Sequence, residues 1–164
     1  MAPCIIYIMG VSGSGKTTIG KKLSEKTTIP FFDADEFHPA VNIEKMKSGH
    51  PLTDEDRAGW LLSINELARS EMVKAGAIIA CSALKEKYRT ILSDGITVPL
   101  FWIFLDGNYD LLLKRMQSRK GHFMPPGMLW SQFDALEKPV NAITVDVSES
   151  PETIVKNLIA RINE

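Results

Sequence analysis

The chain has 164 residues, 45% hydrophobic and 24% charged, with a formal net charge of -1. That size and balance fit a single globular domain over residues 1–164 with one substantial core, and they leave no electrostatic footprint for nucleic acid or an anionic membrane surface. No apolar run approaches the ~20 residues of a membrane span, and Met1-Ala2-Pro3-Cys4 leads into a strand without a charged targeting region, so a cytoplasmic location is expected.

Short apolar runs alternate with longer segments of helical period. The first strand is predicted at Ile5–Met9, and a helix starts at Lys16. A second strand follows at Ile29–Phe32. The stretch Phe37–Leu52, with Pro39, Gly49 and Pro51, reads as polar and irregular, just past a strand end where α/β proteins place ligands. A helix is predicted from about Asp54 to Lys74, opened by a capping box of Thr53 and Asp56. Trp60, Ile64, Leu67, Ala68 and Met72 form a stripe along it, read as core or dimer contact. Next come a strand at Ala77–Cys81, a helix at Lys85–Ser93, a strand at Leu100–Leu105, and helices at Tyr109–Ser118 and Met128–Leu136. A strand at Ile143–Val147 and a helix at Glu152–Ile162 complete the chain, the last helix opened by Ser150-Pro151. Strands rich in Ile, Val and Phe, without polar alternation, are those of a parallel sheet buried on both faces. The expected fold is therefore three-layer α/β/α, with a five-stranded, mostly parallel sheet and right-handed crossovers. Cys4 and Cys81 sit in the apolar runs and read as buried free thiols.

The strongest local signal is Gly10-Val11-Ser12-Gly13-Ser14-Gly15-Lys16-Thr17, which matches GxxxxGK[ST] between a predicted strand and a predicted helix. Glycines let successive N–H groups point at phosphate oxygens, and the helix N-terminus adds partial positive charge. Lys16 supplies a charge for the β- and γ-phosphates and the Thr17 hydroxyl a ligand for Mg²⁺. Gly10, Ser12, Gly13, Ser14, Gly15, Lys16, Thr17 and Thr18 are thus candidate ATP-binding residues. There is no NKxD-type guanine reader, and Asp106-Gly107 lacks the spacing of a DxxG switch, which favours a small-molecule kinase.

On the acceptor side, Phe32-Asp33-Ala34-Asp35 ends the second strand, and strand geometry would point both carboxylates the same way. Phosphoryl transfer needs one group to orient or deprotonate the attacking hydroxyl and another to hold the Mg²⁺ shell. Arg115 and Arg119, spaced i, i+4 and flanked by Lys114 and Lys120, read either as a cationic helix end or as part of a lid over the ATP phosphates. No histidine pair has a metal-ligand spacing such as HExxH, and His50 reads as a surface residue.

Met9–Lys16, Asp33–His38, Asn42–Met46, Pro51–Trp60, Cys81–Arg89 and Arg119–Phe123, with Gln132-Phe133 beyond, together resemble the bacterial-type gluconokinases, small P-loop kinases. The resemblance covers nearly the whole chain. It implies ATP, Mg²⁺, transfer to the 6-hydroxyl of D-gluconate, and a homodimer. It also implies that Asp35 faces the acceptor hydroxyl, that Asp33 faces the Mg²⁺ shell, and that a lid spans about 114–127 with Gly121 as hinge and Arg119 as a catalytic cation. A gluconate carboxylate calls for an Arg fork, for which Arg57 and Arg89 are candidates. Its hydroxyls call for mixed donors and acceptors such as Asp35, His38, Lys85 and His122. The alternatives are a kinase of another hydroxylated acid such as shikimate, and a nucleotide-switched binding protein.

Overall fold

The computed structural model describes residues 1–118 and 127–164. Five strands, β1 (Ile5–Met9), β2 (Phe31–Asp33), β3 (Ala77–Ala80), β4 (Leu100–Asp106) and β5 (Ile143–Asp146), form one sheet in the order β2-β3-β1-β4-β5. Every pairing is parallel, so the sheet expected as mostly parallel is wholly so. The helices are α1 (Lys16–Thr27), α2 (Ala40–Lys47), α3 (Asp54–Glu71), α4 (Glu86–Ser93), α5 (Tyr109–Ser118), α6 (Met128–Ala135) and α7 (Pro151–Ile162).

Alternation along β1 assigns the two faces of the sheet. Ile6 and Ile8 join Ile19 and Leu23 of α1, Leu112 and Met116 of α5, Leu129 of α6 and Ile154, Val155 and Leu158 of α7. Ile5, Tyr7 and Met9 join Trp60, Leu61, Ile64 and Ala68 of α3 and Tyr88 and Leu92 of α4. The sheet is therefore the middle of three layers, and the stripe on α3 is core. β1 and β3 are buried at every residue. The edges depart from the expected two-sided burial: β2 is half-buried and β5 alternates half-buried with exposed, because an edge strand has a neighbour on one side only.

The caps formed as anticipated. Thr53 and Asp56 make a reciprocal capping box at α3, and Ser150 caps α7 with Pro151 in its first turn. β2 begins after Pro30, which has no N–H to give a ladder, and Pro30 meets the sheet only by accepting from the Ile78 N–H at 2.9 Å. The stretch expected to be irregular holds α2. Pro39 precedes its first turn, and Gly49 (φ 86°) follows its C-cap Ser48. Asn42 and Met46, one turn apart, are its buried residues. The two breakers are its ends, which is where Pro and Gly belong in a helix.

Candidate active site

The chain leaves the central strand β1 at Met9 and turns at once into the phosphate-binding loop. β1 lies between β3 and β4, where successive connections run to opposite sides, the position at which open α/β sheets bind ligands. Two loop glycines hold conformations closed to most side chains. Gly13 has φ 79°, and a Cβ there would lie 2.9 Å from the Leu112 carbonyl of α5; Gly15 caps α1 in the left-handed region at φ 98°. Ser12 is pinned from another element, its N–H donating to Gln132 Oε1 of α6 at 2.7 Å.

Lys16 Nζ lies across the loop, donating to the carbonyls of Gly10 (3.0 Å) and Val11 (3.1 Å). Ser14 Oγ is fully buried in the loop without a hydrogen-bond partner, a polar atom of the kind that marks a ligand-binding cradle. The N-terminus of α1 carries no acidic residue in its first turn, so its partial positive charge stays available to an anion. A cavity of about 420 Å³ extends from Gly13, Ser14, Gly15, Thr17 and Thr18 to Arg115 of α5 and to Glu149 and Pro151 at the start of α7. Arg115 borders it with one terminal nitrogen anchored on the Val147 carbonyl at 2.7 Å. The loop and cavity together fit a nucleoside triphosphate.

The carboxylate pair is arranged differently from a strand i, i+2 pair. β2 ends at Asp33, and Ala34–Phe37 form a short 3-10 turn. Asp33 caps that turn, Oδ1 accepting from the Asp35 N–H at 3.0 Å, while Oδ2 accepts from the Thr17 hydroxyl at 3.0 Å. The short side chain of Asp33 competes for the backbone ahead of it, as aspartates do at turns, and this stops the strand. The result separates the two acids. Asp33 joins Thr17, a pair of hard oxygens suited to Mg²⁺, and Asp35 moves on to His38, whose Nε2 lies 3.9 Å from Asp35 Oδ1. The His38 ring stacks on Trp60 (centroids 4.1 Å apart, planes at 13°), and its titration is pushed down to about 4, by burial first and by the Arg57 charge second.

Beyond His38, cations from two helices gather. Asp54, at the start of α3, accepts from Lys85 at 3.3 Å and from Lys87 and the Tyr88 hydroxyl at shorter range. Those bonds, to Lys87 first and Tyr88 second, hold its carboxyl well below the usual range. Arg57 lies over the Tyr88 ring at 5.4 Å and donates to the Tyr88 hydroxyl at 3.3 Å and to the Leu52 carbonyl at 2.5 Å.

Arg89 differs from expectation. It is buried, with one terminal nitrogen on the Ala83 carbonyl (2.8 Å) and the other on the Glu137 carbonyl (2.9 Å). It braces the β3–α4 loop, where Ala83 holds φ 45°, and does not present a free carboxylate fork. Arg119 and His122 lie outside the described residues, as does most of the lid expected at about 114–127. Sequence reasoning passed over Asp54, taken only as the start of a helix, and Asn42, Lys87 and Tyr88, which it held only inside the ranges that carry the resemblance. Gln132, likewise quoted only for the resemblance, holds Ser12 through a contact between residues 120 positions apart, which no local pattern announces.

A phosphate-binding loop at the end of a central parallel strand, with a hydroxyl–carboxylate pair beside its lysine and a second carboxylate beyond, defines a P-loop phosphotransferase. The shikimate kinase family model matches residues 12–163. The chain is 50% identical to the thermosensitive gluconokinase of Escherichia coli K12 over 85% of its own length and 74% of that protein. It is similar to the structure of a gluconokinase from Sinorhizobium meliloti 1021, with a TM-score of 0.86 and 41% identity over 97% of this chain and 91% of that one. It is also similar to a sugar kinase from Janibacter sp. HTCC2649, with a TM-score of 0.89 and 38% identity over 99% and 95%. The chain belongs to the gluconokinase family of small ATP-using kinases, within the wider shikimate kinase group.

Proposed function

We propose that this protein transfers the γ-phosphoryl group of ATP to the 6-hydroxyl of D-gluconate, giving 6-phospho-D-gluconate and ADP. The observation that carries the acceptor's chemistry is the group Lys85, Lys87 and Tyr88 gathered around the single carboxylate of Asp54, with Arg57 on the Tyr88 hydroxyl. Such a group can exchange Asp54 for a small substrate carboxylate, and it lies on from Asp35 and His38, which suit hydroxyls. The gluconokinase relatives favour gluconate over shikimate as the acid.

Loop amides and the N-terminus of α1 hold the triphosphate, and Lys16 turns from two neutral carbonyls toward the charge that develops in transfer. Asp35 accepts the proton of the attacking hydroxyl as its oxygen bonds to phosphorus and the bond to the β-phosphate oxygen breaks. Thr17 and Asp33 would hold Mg²⁺, whose charge would offset that of the phosphate oxygens. Arg115 steadies the phosphate side, and Arg119 and His122 are proposed to act with it from the neighbouring segment. Lys85 and Arg57 meet the substrate carboxylate. One kinase domain over residues 1–164, a homodimer and a cytoplasmic location complete the proposal. Among the described residues no helix is long and apolar enough to cross a membrane.

The test is ADP release over gluconate, glucose and shikimate, with ³¹P and ¹³C NMR of the product. Turnover of gluconate at carbon 6, with glucose rejected by ~10⁴-fold or more, is expected. Shikimate turned over faster than gluconate would select the other kinase, and nucleotide binding without acceptor-stimulated turnover would select a nucleotide-switched binding protein.

A further inference from the structure

We infer that Asn42, a residue outside the phosphate-binding and carboxylate motifs, is a positioning residue that locks His38 as the neutral tautomer carrying its hydrogen on Nε2. His38 is then a fixed hydrogen-bond donor beside Asp35, and Asp35 alone serves as proton acceptor. The assignment deepens the acceptor-side reading above and rests on it for the role of Asp35, but the tautomer itself follows from geometry alone.

The orientation of the Asn42 amide is set by a group that cannot donate. Its Nδ2 lies 2.9 Å from the main-chain carbonyl oxygen of Asp56. A carbonyl only accepts, so the nitrogen must face it. The same Nδ2 lies 3.3 Å from His38 Nδ1. Its second hydrogen points to that ring nitrogen, and two donors cannot face each other, so Nδ1 carries a lone pair. A neutral imidazole with a bare Nδ1 has its hydrogen on Nε2, the atom 3.9 Å from Asp35 Oδ1.

Each link of this chain is held. Asn42 is 3% exposed. Asp56 is tied by the capping box, accepting from the Thr53 N–H at 2.8 Å, and by Lys45 at 2.6 Å. The ring cannot turn over freely because it stacks on Trp60, whose own indole N–H donates to the Ala34 carbonyl at 2.7 Å. Among the described residues, the charged groups facing His38 are Asp35 and Arg57. Burial and Arg57 both disfavour the imidazolium, in line with a ring that stays neutral.

The separation from Nε2 to Asp35 is longer than a direct hydrogen bond and suits a hydroxyl set against both. That hydroxyl donates to Asp35 and accepts from Nε2–H. With the opposite tautomer, a bare Nε2 would compete with Asp35 for the hydroxyl hydrogen. Asn42 therefore decides which of the two residues can take the proton.

The experiment uses the full chain labelled with ¹⁵N-histidine. Only three histidines are present, and His38→Gln assigns the signal. Long-range ¹H–¹⁵N correlation at pH 7 should show His38 with a protonated Nε2 and a bare Nδ1. Asn42→Asp places an acceptor opposite Nδ1. It should bring a hydrogen onto Nδ1, raise the pH at which His38 titrates, and lower kcat for gluconate by up to ~10²-fold with the KM for ATP unchanged. A wild-type His38 protonated on Nδ1 would overturn the inference, even if Asn42→Asp failed to fold. An unaltered His38 spectrum in a folded Asn42→Asp protein would overturn it too. If gluconate proved not to be the substrate, the wild-type spectrum would still stand, so the two failures are distinguishable.

Discussion

Replacing Asp33 and Asp35 separately by Asn tests how the site divides its chemistry. Asp33 accepts two hydrogen bonds, from the Asp35 N–H and from the Thr17 hydroxyl, each at 3.0 Å. Asparagine has one acceptor oxygen, so Asp33→Asn loses or reverses one bond and removes the charge from the other. Bonds to a charged acceptor contribute about 1.5–3 kcal/mol and neutral ones about 1. Asp33 is half-buried, so the expected stability loss is about 1–2 kcal/mol, roughly 3–6 °C in Tm for a chain of this size. The Asp35 carboxylate does not hold that cap, so Asp35→Asn should leave the cap itself intact. Activity should separate them in another direction. Asp33→Asn should lower kcat by ~10²–10³ and raise the Mg²⁺ concentration needed for half-maximal rate. Asp35→Asn should lower kcat by ~10²–10⁴ with the Mg²⁺ requirement unchanged. Calorimetry and coupled ADP release across a Mg²⁺ series measure both. A shifted Mg²⁺ requirement in Asp35→Asn, and none in Asp33→Asn, would refute the division of roles.

Lys16→Ala should lose ~10²–10³ in kcat with little change in Tm, and near-normal turnover would contradict the loop's role. Gly13→Ala should destabilise by about 1–3 kcal/mol and weaken ATP binding, because φ 79° and a Leu112 carbonyl 2.9 Å from the new Cβ leave no relaxed position. Gly59→Ala, on α3 with nothing within 4 Å, should instead stabilise by about 0.5–1 kcal/mol, as urea melts will report. His38 is held neutral to about pH 4, below its unfolded value of ~6.5. The unfolded chain therefore takes up a proton first as pH falls, and stability should decline between about pH 6.5 and 4, by about 2 kcal/mol after allowance for solvent screening. His38→Gln should flatten that slope in urea melts run across this pH range.

The phosphate half of this site could be read from the sequence because its instructions are local. Gly10 to Thr17 carry loop, helix start, lysine and hydroxyl in eight consecutive positions, and the flanking strand and helix have unambiguous periods. The caps at Thr53 and Ser150 are local in the same sense. The acceptor half depends on approaches that periodicity does not encode. Asp33 and Asp35 looked like a strand pair, but the Asp33 side chain caps its own backbone and ends β2. Arg89 looked like an available cation, but a loop with positive φ at Ala83 draws its guanidinium inward. Asn42 sits in a helix whose bounding Pro39 and Gly49 resemble the marks of a loop, and its reach to His38 and Asp56 depends on how α2 packs beside α3.

Every cation of the site for which a contact has been described already has an acceptor from the chain, and the kind of acceptor bears on specificity. On the phosphate side those acceptors are neutral: the carbonyls of Gly10 and Val11 for Lys16, and of Val147 for Arg115. Exchanging a neutral carbonyl for a phosphate oxygen converts a bond between a cation and a dipole into one between opposite charges, which is stronger, so the exchange favours ATP. On the acceptor side the partner of Lys85 and Lys87 is itself a carboxylate, Asp54. On the proposed reading, exchanging Asp54 for the carboxylate of gluconate replaces like with like and adds little net affinity. A neutral hydroxyl offered in its place must compete with an ion pair and loses. On that reading Asp54 would act less as a source of binding strength than as a standard that an incoming group has to match, and a sugar without a carboxylate would fail that comparison before any clash of shape arises.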